Sequence, residues 1–353
     1  MQIRKPTVAI SRILAHHTLL RSIPMTHIQN DAGIAMILSP AKTLDLTPLS
    51  DRKFAADGVN ADVIEKLSDE YTLSLCDASK TDAVGAAMKE KSESELKSLL
   101  KLSPALAKSS HEYWSTFDMK TRASSPHLGV FTLSGPAFQQ GIIPQNCNVS
   151  TLRYLAKNLY ILDSVYGVLR AMDKMQPYRL EMGCKGVVDA EGSKKKESLA
   201  TYWKESITAH LGNQLSISSD DGGPILANLA SEEYSSSVDI ASLPANTIFV
   251  NIIFRHKGRV IAVHAKRARG LMVRYIAEQD AKSLSDISNF DLEGYRCISA
   301  GEKKWETVDL VGDNVQVVTM TFDRDDVPAA ATSKSKRKDD GDVPKNTSRK
   351  KRQ

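Results

Sequence analysis

Cysteine is scarce and scattered. The chain of 353 residues has four, at Cys76, Cys147, Cys184 and Cys297, with no C-x-x-C pair and no histidine nearby at zinc-ligand spacing. That pattern excludes a disulfide framework and a structural zinc site, and it leaves free thiols in a reducing compartment. The eight histidines form no cluster with acids, so no metal and no cofactor is expected, and direct iron storage is disfavoured. No apolar run approaches the roughly 18–20 residues that span a bilayer. The chain is therefore expected to be soluble, with no membrane partner. Acidic residues are scarce only at the two ends. Residues 1–33 hold Arg4, Lys5, Arg12 and Arg21 against Asp31 alone, and residues 333–353 hold nine Lys/Arg against three Asp. Removing those excesses of +3 and +6 from the formal +5 leaves a body near −4. A cationic site in the body must then come from local clustering, against the average field.

What is present begins with those ends. Residues 1–33 read as an extension whose basic, Leu/Ile-bearing character resembles an organelle presequence, which points to a mitochondrial location. Met25 and Met36 are alternative starts. Residues 324–353 read as a disordered basic tail, because Lys/Arg runs broken by Asp, Gly and Pro cannot bury a face. Its Arg337-Lys338 and Arg349–Arg352 clusters, ten residues apart, resemble a two-part nuclear import signal.

Between them, residues 34–323 read as one mixed α+β domain. Residues 34–39 suggest a short buried strand stopped by Pro40, and residues 60–118 are helical in period. Strands are expected at 128–133, 224–230, 246–254, 259–265 and 314–322. The fourth would pair with the third through a hairpin turning at His256-Lys257-Gly258. Helices are expected at 149–159, 197–211 and 267–280. In "ELKSLLKLSPALAKSSHEYW" (95–114) two short helices meet at Leu102-Ser103-Pro104, with Ser103 as N-cap and Pro104 as first helical residue.

The segment "HAKRARGLMVRYI" (264–276) gathers Lys266, Arg267, Arg269 and Arg274 around Gly270. At 100° per residue, Lys266, Arg267, Gly270 and Arg274 share an arc, and Arg269 lies elsewhere. Two readings stand. Either the bare backbone at Gly270 admits a phosphate near a helix start, or glycine permits tight packing and the cations pair with Glu181, Asp173 or Glu232-Glu233. In "YGVLRAMDKMQPYRLEMG" (166–183), Arg170, Tyr178, Arg179 and Glu181 are close in sequence. Arg179 and Glu181 share a face if the segment is extended. They form either an orienting pair for a phosphate or base, with Tyr178 stacking, or a structural ion pair over a core tyrosine. Lys42, at a strand end, is a phosphate ligand, a nucleophile or a solvated loop residue.

Five strings occur in order: "ILSPAKTLD" (37–45), "VYGVLRAMDKMQPYRLEMG" (165–183), "NLASEEYSSSV" (228–238), "AKRARGLMVRYI" (265–276) and "FDLEGY" (290–295). Together they resemble the peroxide stress protein YaaA family over most of 34–323. The resemblance implies a single α+β domain of unusual topology, with a helix-hairpin-helix-like element and a basic cleft. It also implies DNA binding, protection against hydrogen peroxide, lower available iron and a cytoplasmic location. No reaction is securely attached to the family.

The chain departs from the family pattern at four places. Ser164 stands for a glycine, Ala171 for a proline, Lys204 for a glycine and Glu205 for an aspartate. The leading expectation is DNA held by backbone charge and shape, with little sequence readout, through Lys42, Arg170, Tyr178, Arg179, Lys266, Arg267, Arg269 and Arg274. The alternative is an enzyme acting on a nucleobase or nucleotide with Lys42 and Glu181.

Overall fold

The structure is a computed structural model and describes residues 33–71, 75–188, 196–217, 223–298, 306–312 and 315–325. Eight strands form one mixed sheet: β1 (Ala35–Leu38), β2 (Leu159–Asp163), β3 (Gly167–Arg170), β4 (Ile225–Leu229), β5 (Ile248–Phe254), β6 (Arg296–Ile298), β7 (Glu306–Val311) and β8 (Val315–Asp323). Their order is β3-β2-β1-β4-β5-β8-β6, with β7 also paired to β8. The five strands β2-β1-β4-β5-β8 run parallel, and β3, β6 and β7 are antiparallel additions.

The sequence of the inner strands explains their place. All four residues of β1 and all five of β2 are buried. Successive side chains point to opposite faces, so both faces of the sheet are covered there. Each fully buried aliphatic residue such as Ile37 or Leu38 contributes about 1.5–3 kcal/mol. β8 alternates buried and half-buried residues from Val318 to Asp323, the pattern of a sheet margin covered on one side.

Ten helices accompany the sheet among the described residues: α1 (Ala61–Tyr71), α2 (Ala78–Lys89), α3 (Glu93–Leu100), α4 (Pro104–Thr116), α5 (Gly129–Thr132), α6 (Val149–Asn158), α7 (Leu199–Ile217), α8 (Glu232–Ser235), α9 (Ala262–Glu278) and α10 (Leu284–Ser288). A π-helical turn, Pro136–Ile142, packs along α9, which in turn packs on α6 and β5. The helical hairpin α3–α4 forms as the sequence indicates. Ser103 Oγ accepts from the Leu106 amide at 3.4 Å, Pro104 opens α4, and Lys101 closes α3 with a left-handed φ of 51°. Among the described residues no helix is long and apolar enough to cross a membrane. The extension at 1–32 and the tail from 326, where import signals are expected, lie outside the described residues.

Two expected strands are not strands. Residues 128–133 hold the short helix α5, lying across the chain that leaves β3, with Val130 N donating to Ala171 O at 2.8 Å. An apolar run buried on every side carries no period to separate the two states. Residues 259–265 do not return along β5, because β4 and β8 already occupy both of its edges. The expected turn is real: Lys257 and Gly258 both have positive φ (51° and 73°), and His256 bridges Arg259. The chain then leaves the sheet and enters α9 at Ala262, five residues before the expected helix start at 267.

Candidate functional site

The strand order reverses between β1 and β4, so the loops leaving their carboxyl ends diverge. In open sheets with parallel strands this is where ligands bind. Ser39, just after β1, accepts the Ser231 amide at 2.8 Å on its Oγ, and the two hydroxyls lie 3.2 Å apart. Three residues on, Lys42 Nζ meets Glu181 Oε1 at 2.7 Å, and Arg179 Nη1 donates to the Lys42 carbonyl at 3.0 Å. Glu233, in α8, accepts the Gly183 amide at 3.0 Å. Lys42, Arg179 and Glu181 thus come together from two distant parts of the chain.

Local packing explains why Arg179 and Glu181 face outward. Tyr178, Leu180 and Met182 are buried between them. The Tyr178 hydroxyl donates to Asp163, which also accepts the Val165 and Tyr166 amides at 2.8 and 2.9 Å. Ser164 Oγ donates to Leu180 O at 3.1 Å, and Ala200 N donates to Met182 O at 3.0 Å. The serine that departs from the family pattern therefore tethers the segment. Burial raises the Asp163 carboxyl above its usual range despite its hydrogen bonds, and burial beside Asp163 holds the Tyr178 phenol well above its own. Tyr178 is part of the core, against Trp114 and Tyr166, so its ring is not offered to a base.

Other expected residues are placed differently. Arg170 is buried, with its guanidinium over Tyr160 and donating to Lys157 O. Arg269 is largely covered, and burial lowers its pKa. Arg274 pairs with Glu278 at 3.6 Å. At Gly270 a Cβ would stand 1.9 Å from Ala137 O. The backbone approached there is the π-helical turn, so the packing reading of that glycine holds. Lys204 and Glu205 are exposed inside α7, where no tight turn needs the family's glycine.

Lys266 is exposed, and Arg267 pairs with Glu293, which also takes Arg324 Nη1 at 3.1 Å. Neither Glu293 nor Arg324 was expected at a site. Glu293 lies within "FDLEGY", and the sequence reading placed Arg324 in the tail, although it is only 5% exposed. This cluster stands at the carboxyl ends of β5 and β8. Three strand spacings, about 14 Å, separate the carboxyl end of β1, which leads to Lys42, from that of β8 along the same sheet edge. The segment from Arg255 to Arg267 has five Lys/Arg and no acid. Its residues Lys257–Val263 are all exposed, Val260 by 60% and Val263 by 54%. Arg255, Arg259 and Lys266 make no ion pair among the described residues. Charge counting along the chain would have found this run; its exposure was hidden by the strand expected there.

No three His, Cys, Asp or Glu side chains among the described residues are arranged to hold a metal ion. Cys76 and Cys147 are free thiols, and burial pushes both up to about 12. They are packing residues rather than nucleophiles.

A profile described as peroxide stress protein YaaA matches residues 34–300. The chain belongs to the peroxide stress protein YaaA family. Similar relatives carry the name UPF0246 protein. The one from Colwellia psychrerythraea is 34% identical over 271 residues, covering 76% of this chain and 95% of its own. The one from Bordetella avium is 34% identical over 264 residues, covering 73% and 91%. The one from Francisella philomiragia is 36% identical over 205 residues, covering 57% and 77%.

Proposed function

We propose that this protein binds DNA by its phosphate backbone, at the carboxyl edge of the sheet, in the response to hydrogen peroxide. The observation that carries the reading is the basic run from Arg255 to Lys266, exposed at Lys257–Val263 and at Lys266 and without an acid in its sequence, in a body whose net charge is negative. Arg179 adds a cation along the same edge, beside the Lys42–Glu181 ion pair. Contacts of this type give affinity without sequence readout. The helical hairpin α3–α4 supplies a second contact, through Lys101 and Lys108. Lower available iron and a cytoplasmic location belong to the same reading.

The test is fluorescence anisotropy of a labelled duplex with the full chain and with a chain ending before Ser333. The shortened protein keeps salt-sensitive binding to unrelated sequences. Binding lost entirely with the tail would refute a site in the body.

A second reading is favoured by one observation: Lys42, Arg179 and Glu181 meet at the topological switch point. It makes the protein an enzyme acting on a nucleobase or nucleotide, with Glu181 as acid or base and Lys42 holding phosphate. The Lys42 side chain is 54% exposed, so it does not sit in the dry pocket that a nucleophilic amine needs. Turnover of free nucleosides or damaged-base DNA, lost in Lys42→Ala, is the result that would put this reading first.

A further inference from the structure

The cluster around Glu293 holds more donors than its one carboxylate can satisfy. Arg267 comes from α9, Arg324 follows β8, His256 sits in the turn after β5, and His264 opens α9. Glu293 accepts from both arginines. The Arg324 guanidinium lies 4.5 Å from the centre of the Tyr295 ring, and the two histidine rings are 5.3 Å apart. Four buried polar atoms here have no partner: Nε of Arg267, Nε of Arg324, Nδ1 of His256 and the Tyr295 hydroxyl. Arg324 and Tyr295 are both more than nine-tenths buried. Guanidinium Nε atoms without a hydrogen-bond partner recur at Arg122, Arg170, Arg179, Arg269 and Arg274; what distinguishes this cluster is the Tyr295 hydroxyl, a buried O–H without an acceptor, which costs the loss of its hydration, about 1–3 kcal/mol. That hydroxyl, beside two guanidiniums and two imidazoles grouped around a single carboxylate, points to a missing acceptor-rich group. A carboxylate offers two oxygens and is already present; a tetrahedral oxyanion offers more, directed to several sides.

We propose that Arg267, Arg324, His256, His264 and Tyr295 form a binding site for a phosphate group, and that Glu293 is its internal competitor. With no ligand, the carboxylate spans the two guanidiniums. A phosphate replaces it there and takes up the remaining donors. Glu293 sits on a left-handed residue (φ 55°) ahead of Gly294, in a three-residue turn, so its withdrawal disturbs no long element. The proposed function bears only on where the phosphate comes from, a nucleic-acid backbone or a free phosphate ester; the anion chemistry is the same for both.

The experiment titrates the full-length protein with inorganic phosphate at constant ionic strength, following histidine ring resonances by NMR. The expected result is a saturable shift of His256 and His264, with His127 unmoved. Removing the competing charge in Glu293→Gln is expected to tighten phosphate by about tenfold, equal to about 1.4 kcal/mol. Arg267→Gln, at a half-exposed position, weakens it by at least about tenfold and serves if the first variant does not fold. A purely structural ion pair predicts no saturable shift in wild type or variant, and that outcome overturns the proposal. Duplex DNA added to the phosphate-loaded protein then identifies the source: displacement of phosphate assigns the site to the backbone phosphodiester, and retention assigns it to a free phosphate ester. Protein that takes up phosphate but no DNA refutes the proposed function and leaves this site standing.

Discussion

Gly270→Ala separates two uses of a bare backbone. If the glycine leaves room for a phosphate, alanine should weaken binding and, by helix propensity, stabilise the fold by up to about 1 kcal/mol. In the structure the added Cβ would lie 1.9 Å from Ala137 O and 2.7 Å from Ala137 C. Those are backbone atoms of the π-helical turn, so no rotamer change relieves the clash. The turn must move away from α9, and the reciprocal contact suffers with it, because Gly141 of the same turn also lies against Gly270 and Arg267 O. Overpacking of this kind costs about 1–3 kcal/mol, occasionally more. Set against the propensity gain, the expected net loss is about 1–2 kcal/mol, or about 2–4 °C in thermal midpoint for a chain of this size. Urea and thermal unfolding followed by circular dichroism measure it. Gly212→Ala, inside α7 with only Pro244 at 3.6 Å, is the matched control and should gain about 0.5–1 kcal/mol. A Gly270→Ala protein as stable as wild type would refute the packing account.

Asp163→Asn should be tolerated, since an amide oxygen still accepts the Val165 and Tyr166 amides and its NH2 group can donate to Tyr178. The raised carboxyl of Asp163 binds its proton more tightly folded than unfolded, so wild-type stability should fall as pH rises through the folded value and recover on acidification. The variant should lack that slope in pH-dependent unfolding. The opposite sign holds for His127 and His210, which burial depresses: their stabilisation is present above about pH 6.5 and lost as pH falls. Replacing each with glutamine should flatten the acid limb. Ser164→Ala removes the bond to Leu180 O and should cost about 1 kcal/mol in urea unfolding, because the carbonyl it leaves is buried. Lys42→Ala breaks a pair open to solvent and should change the unfolding free energy by less than about 1 kcal/mol.

Much of the fold was legible where one physical signal dominates. Ser103-Pro104 fixes the hairpin between α3 and α4 whatever surrounds it. The runs at 225–229 and 248–254 are too short and too apolar to be anything but buried strands once glycine and proline bound them. The failures share a cause. Leu128–Leu133 and Arg259–Ala265 have the composition of strands, and strand formation depends on a free sheet edge, which is a property of the whole topology. β2 and β3 were missed because α6 runs into β2 without a break at Asn158-Leu159. The site was half legible. Alternation put Arg179 and Glu181 on one face, and the family strings and the enzyme alternative grouped Lys42 with them, but no spacing in the sequence reports that the segments at 42 and 179–181 touch. Tyr178 and Arg170 are polar residues held in the core, by Asp163 and by Lys157 O, and no local pattern distinguishes such a residue from a ligand. Glu293 and Arg324 required the carboxyl ends of β5 and β8 to be set side by side.

The most direct test of a backbone-binding surface is the salt dependence of duplex affinity, compared between wild type and a variant with Arg255, Arg259 and Lys266 all changed to alanine. Each phosphate contact adds close to one unit to the slope of log affinity against log salt. The account predicts a slope shallower by about two to three units and an affinity loss of similar size on unrelated sequences. An unchanged slope, with the variant still folded, would contradict it.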